Sequence, residues 1–147
     1  MKRRRLVTVA FLVGLIAAFG LVGCASPALY QMESGERTAG AEGQLSITSD
    51  QNGNQLVELN VAHLPQPSRL SEGMAIYTVW IRPEESGQYY NMGRLRLNDD
   101  RTGVLSFTTP FSAYDMLITA EARPDQMSPS DEVVLRRSMG GSGSSSR

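Results

Sequence analysis

Cys24 is the only thiol and His63 the only imidazole in the 147-residue sequence, so any covalent or metal chemistry must be built around very few groups. A nucleophilic enzyme needs a base paired with a Ser or Cys, and nothing near His63 supplies such a pair. A structural zinc site needs several Cys and His at ligand spacing, which one of each does not provide. Asp50, Asn52 and Asn54 have the i, i+2, i+4 spacing that opens a calcium loop. The glycine such a loop requires would fall on Gln55 and its closing glutamate on Val61, so this stretch reads as a turn. Asp99 and Asp100 read in the same way, as carboxylates crowded in a solvated turn. No catalytic residue, metal ligand or cofactor site is expected from these residues, and the chain is not expected to be an enzyme. The chemistry that remains is that of Cys24 as an acceptor, and it depends on what surrounds it.

Cys24 ends the stretch Leu21-Val22-Gly23-Cys24, which follows Lys2, Arg3, Arg4, Arg5 and the uncharged run from Leu6 to Gly23. This arrangement resembles the signal and lipobox of bacterial lipoproteins. The resemblance implies that the basic residues hold the N-terminus in the cytoplasm while the apolar run enters the bilayer. It further implies that small Gly23 lets a peptidase reach the bond before Cys24, and that Cys24 becomes the lipidated N-terminus. At 18 residues the apolar run is also nearly long enough to stay as an uncleaved anchor. Gly14, Gly20 and Gly23 weaken it as a permanent helix, and no basic stop-transfer cluster follows. Either way the remainder lies outside the cytoplasm. The surroundings of the arginine pairs fit a twin-arginine signal poorly, so ordinary Sec export is expected. Ala25 and Ser26 lack the Asp that retains lipoproteins at an inner membrane. The expected location is the outer membrane of a two-membrane host, or the outer face of a single membrane.

Once residues 1–23 are removed, the 14 basic residues fall to ten, all arginine, against 15 acidic ones, giving 10 − 15 = −5. A nucleic-acid partner would call for the opposite sign. Residues 24–42 are rich in Ser, Gly and alternating charge and read as the lipidated cysteine with a flexible linker, Ala28-Leu29-Tyr30 being its one apolar cluster. One domain follows, over residues 43–137, and residues 138–147 read as a Gly/Ser tail.

Within that domain the apolar period is two. Leu45 and Ile47, then Val57, Leu59 and Val61, alternate with polar neighbours around the Asn52-Gly53 turn, the pattern of a β-hairpin. Residues 62–73 form a Pro-containing loop. Met74 to Ile81 is nearly continuous in apolar character, which marks a strand covered on both faces. Tyr77, Val79 and Ile81 face one layer, and Ile76, Thr78 and Trp80 the other. Trp80 is expected to pack rather than to serve as a ligand platform. Farther on, Arg94-Leu95-Arg96-Leu97 alternates with both leucines inward and both arginines in water. Short strands follow over 104–108, 116–122 and 132–136. About seven short strands with turn signals between them predict an all-β, immunoglobulin-like antiparallel sandwich.

The order of features resembles the extracytoplasmic C-terminal domain of anti-sigma-K-type factors. The residues that carry it are Leu64-Pro65, Tyr77-Thr78-Val79-Trp80-Ile81, Gly93, Asp99 to Gly103, Ile118-Thr119-Ala120-Glu121, and Pro129 before Val133-Val134-Leu135. The resemblance implies a sandwich fold and an envelope location. It implies no sigma-factor capture, for which those proteins use a cytoplasmic domain, and a shared fold is not evidence of activity. The expected function is a binding or interaction module held on the bilayer through acylated Cys24, its partner an envelope protein or surface ligand and not a nucleic acid. A structural envelope lipoprotein, or an accessory to envelope stress sensing, is the alternative.

Overall fold

A strand with apolar groups on both faces has to be covered on both, and the architecture follows from that demand. In the computed structural model, which describes residues 26–140, this strand is β5 (Ile76–Pro83), and seven of its eight residues are buried. The other strands among the described residues are β1 (Ala28–Gln31), β2 (Glu33–Ser34), β3 (Glu42–Ser49), β4 (Gln55–Ala62), β6 (Tyr90–Leu95), β7 (Gly103–Thr109), β8 (Tyr114–Glu121) and β9 (Val133–Met139). They form two antiparallel sheets, ordered β1-β3-β4-β7 and β2-β9-β8-β5-β6. The only helical pieces described are the 3-10 turns Glu36–Thr38 and Pro67–Arg69.

The alternation read from the sequence sets the register. Leu45 and Ile47 pair with Leu59 and Val57, and all four are buried together with Val61. Across the sandwich they meet Tyr77, Val79 and Ile81 of β5 and Met116 and Ile118 of β8 in one core. Each such side chain contributes about 1.5–3 kcal/mol by leaving water. The β3–β4 turn is closed by Asp50, whose Oδ1 accepts the N–H groups of Asn52 and Asn54, both at 2.8 Å. With β1 and β2 set aside, seven strands divide as β3-β4-β7 and β9-β8-β5-β6. In the lettered convention these are A-B-E and G-F-C-C′, an immunoglobulin-like sandwich whose fourth strand joins the second sheet.

Nine strands replace the expected seven because the segment read as a linker is part of the fold. Tyr30 of β1 lies opposite Leu45, extending the first sheet, and Glu33 and Ser34 of β2 lie opposite Arg136 and Leu135, extending the second. Met32 sits between them, 8% exposed, and donates its N–H to the Gly43 carbonyl at 2.8 Å. A single short segment thus crosses from one sheet to the other and closes that side of the sandwich. Thr38 Oγ1 donates to the buried Val134 carbonyl at 2.8 Å. Arg37 makes a two-pronged bond to Glu132 and a third to the Leu70 carbonyl. Arg137 donates to the Gln31 carbonyl and lies over the Tyr30 ring. These ties are to residues far along the chain, so the local composition carried no sign of them.

The far boundary moves as well. β9 runs through Ser138 to Met139, which lies opposite Tyr114 and is buried, so the first two residues read as tail are strand. In β6, Met92 is an extra residue between the pairs Val79–Gly93 and Trp80–Asn91, and Gly93 takes a φ of 133° to absorb it.

Val79→Asp should abolish the cooperative melt of the full chain, since an unpaired carboxylate in this core costs several kcal/mol, comparable with the whole stability of a small domain. Met32→Asp should be similarly severe. Thermal unfolding followed by far-UV circular dichroism checks both. A Met32→Asp melt equal to wild type would mean that the N-terminal segment is an appendage after all.

Candidate functional site

Gly23 and Cys24, the expected cleavage and lipidation residues, lie outside the described residues, as does the Leu6 to Gly23 run. Among the described residues no helix is long and apolar enough to cross a membrane. His63 is exposed and begins the 63–75 loop with a φ of 59°. No group of three or more His, Cys, Asp or Glu side chains gathers at metal-binding distance among the described residues.

Trp80 packs, as its strand position implies. It is 1% exposed, and its indole N–H donates to Thr119 Oγ1 at 2.9 Å. That hydroxyl donates in turn to Glu121 Oε1 at 2.5 Å, which also accepts the Ser130 N–H at 2.8 Å. Ser130 Oγ donates to the Ala120 carbonyl at 2.7 Å. This chain of bonds satisfies a carboxylate that is 1% exposed and pins the loop between β8 and β9.

A groove of about 460 Å³ lies at the end of the sandwich where β5 begins and β6 ends. Its floor is the start of β5, and one wall is the 63–75 loop. That wall is fixed by Tyr77, whose hydroxyl donates to the Pro65 carbonyl at 2.8 Å, and burial pushes the Tyr77 phenol well above its ordinary pKa. The opposite wall carries Arg94, Arg96 and Arg101. Leu95, between the first two, is buried opposite Tyr77, so Arg94 and Arg96 are held on the outer face of a well-packed strand. Arg101 comes from the 98–102 turn. That turn is closed by Asn98, whose N–H donates to the Thr102 carbonyl at 2.9 Å and whose Oδ1 accepts from the Thr102 N–H and hydroxyl. Gly103 completes it, since a Cβ there would stand 2.6 Å from the Arg96 carbonyl oxygen.

Arg101 has a φ of 60°, a left-handed conformation that costs a non-glycine residue about 1–2 kcal/mol. A strained backbone at a rim residue is a pointer toward function. Arg37, Arg82 and Arg123 each have a carboxylate partner within 4.0 Å. Arg94, Arg96 and Arg101 have none among the described residues. The groove does contain Asp99, but three guanidiniums against one carboxylate leave it net positive. Chemically it suits an anion with several oxygens, which planar guanidinium groups bind through paired N–H donors.

The sequence reading put Arg94 and Arg96 in water, where they are, and treated Asp99 as part of a turn, which it is. It did not gather Arg94, Arg96 and Arg101 into one wall. The available signal was three arginines within eight residues, Arg94 to Arg101, in a chain whose residues 24–147 carry an acidic excess. No protein-family model matches the chain, and no curated protein matches it.

Other carboxylates serve the scaffold. Asp115 accepts from Ser138 Oγ at 2.5 Å and pairs with Arg82 at 2.6 Å, and these contacts hold its pKa below the ordinary value. Asp50 is lowered too, first by the side-chain hydrogen bond from Asn54. A depressed carboxylate stabilises the fold above its unfolded pKa of about 4, and the contribution is lost as pH falls through the folded value. Asp50→Asn combined with Asp115→Asn should therefore flatten the loss of stability as pH falls below about 4. Denaturant midpoints across that range test it, and an unchanged acid limb would show that other groups set it.

Proposed function

We propose that the protein is a lipid-anchored extracytoplasmic binding module whose arginine groove takes an anionic ligand of the cell envelope. The single observation behind the binding assignment is the set of three guanidiniums, without carboxylate partners among the described residues, held on one wall of a groove. Arg101 adds weight, because its backbone bears a cost that glycine would avoid and it lines the groove. The anchor rests on the sequence: a basic N-terminus, an uncharged run and Leu21-Val22-Gly23-Cys24 in that order. On this reading the Gly23–Cys24 bond is cut and the Cys24 sulfur carries a diacylglyceryl thioether. Several acyl chains are required, since one chain gives only marginal anchoring. The destination is the outer membrane of a two-membrane host or the outer face of a single membrane. The ligand class is a molecule bearing phosphate groups or clustered carboxylates.

Two measurements test these assignments. Cys24→Ala should leave an unprocessed precursor, and mass spectrometry finding an intact, unmodified Met1 chain in wild-type membranes would remove the anchor. For the groove, full chain in detergent should bind inorganic triphosphate or polyglutamate with an affinity that falls as salt rises. The combined change Arg94→Ala, Arg96→Ala and Arg101→Ala should weaken binding by at least about tenfold, each lost charged hydrogen bond being worth roughly 1.5–3 kcal/mol. Arg123→Ala, at an exposed salt bridge elsewhere, should not. Arg101→Gly separates function from stability: binding should drop while the melting temperature holds or rises, because the left-handed strain is relieved. Equal binding by wild type and the triple variant would refute the groove as the site.

A further inference from the structure

Two facts about the ends of the sandwich locate a second surface. β1 runs from Ala28, opposite Ile47, to Gln31, opposite Gln44, so the chain enters at the end formed by the β3–β4 turn. The groove lies at the other end, where Val61 faces Gly103. Only four residue steps separate Cys24 from Ala28, and a fully extended chain covers at most about 14 Å over that distance. Resting on the reading of Cys24 as acylated, a tether this short holds the entry end of the domain against the bilayer.

That end carries aromatic groups at the surface. Tyr90, opposite Ile81, is 38% exposed, and its ring lies 5.8 Å from that of Phe111, which follows β7 and is half-buried with one side against the core. Tyr89 is half-buried, with the Arg82 guanidinium 5.4 Å from its ring centre. Rings with an apolar body and a polar tip favour the headgroup region of a bilayer. Asp50, Glu84 and Glu85 are exposed nearby; with Arg82 paired to Asp115, their charge disfavours a surface rich in anionic lipid.

We infer that this end of the sandwich, through Tyr89, Tyr90 and Phe111, rests on zwitterionic lipid headgroups and turns the arginine groove away from the membrane. The contact adds orientation to what the tether provides as proximity.

The test uses the full acylated chain in phosphatidylcholine vesicles containing an acceptor-labelled lipid. A fluorophore is attached through maleimide to Ser112→Cys, at the entry end, or to Asp100→Cys, beside the groove; both positions are exposed. Energy transfer to the bilayer should be strong from position 112 and weak from position 100. The two ends are about 25 Å apart, the length of an eight-residue strand. Wild-type chain without an introduced cysteine is the control: if it takes up label, Cys24 is free and the anchor reading fails. If the chain is acylated but the two positions transfer equally, the orientation is wrong while the anchor stands. A Gly/Ser insert of about ten residues after Ala25 lengthens the tether. With the insert alone, the difference between positions should persist. With Tyr90→Ser and Phe111→Ser added, it should disappear. Loss of the difference from the insert alone would overturn the lipid contact and leave the tether as the sole cause.

Discussion

β5 cannot be left with an open face. Its inward side chains, Tyr77, Val79 and Ile81, bring the second sheet against the first. Its outward ones, Ile76, Thr78 and Trp80, are buried as well, although among the described residues no third layer of secondary structure lies over them. Burying an indole N–H requires an acceptor, and Thr119 supplies it. The threonine hydroxyl then has its own proton to place, and Glu121 receives it. A buried carboxylate is costly unless it is hydrogen-bonded, so the Ser130 N–H is drawn in, and with it the loop between β8 and β9. The position of that long loop follows step by step from the composition of one strand.

The same strand explains why so much of the fold was legible in the sequence. Residues that alternate, such as Leu45 and Ile47 or Val57, Leu59 and Val61, state their own facing, and a continuous run such as Ile76 to Ile81 states that it is central. Pairing across a turn is local, and Asp50 to Asn54 announced it. The N-terminal segment obeys a different rule. An edge strand contributes one or two inward side chains and depends on a partner already in place. Tyr30 needs β3, Thr38 needs the Val134 carbonyl, and Met32 fits against Gly43, where a Cβ would come within 3.0 Å of its sulfur. None of these is a property of residues 26–42 by themselves, and a polar composition was accordingly read as a linker.

The groove was less legible for a related reason. Arg94 and Arg96 are two apart on one strand, and their common face follows from the period. Arg101 joins them only because the Asn98 turn reverses the chain and Gly103 lets it pass close to the Arg96 carbonyl. Composition hid the feature further: a chain with an acidic excess offers its local cluster of cations no advertisement in net charge. His63 and the Asp50 series, more conspicuous as residue types, became the start of a loop and the closure of a turn.

On the proposed anchoring through Cys24, the placement of the two ends gives the charge distribution a use. Potentials from anionic headgroups fall off within a Debye length, about 8–10 Å at physiological ionic strength. An arginine cluster at the membrane end would sit inside that layer and be occupied by lipid. Raised about 25 Å by the length of the strands, Arg94, Arg96 and Arg101 would stand outside it, open to anions on the far side. At the aromatic end Arg82 is paired with Asp115, so Glu84 and Glu85 would be left to resist close approach of anionic lipid while the aromatic rings set the depth. A short tether is what makes this division meaningful, because a linker long enough to let the domain turn over would expose both ends to the same lipid.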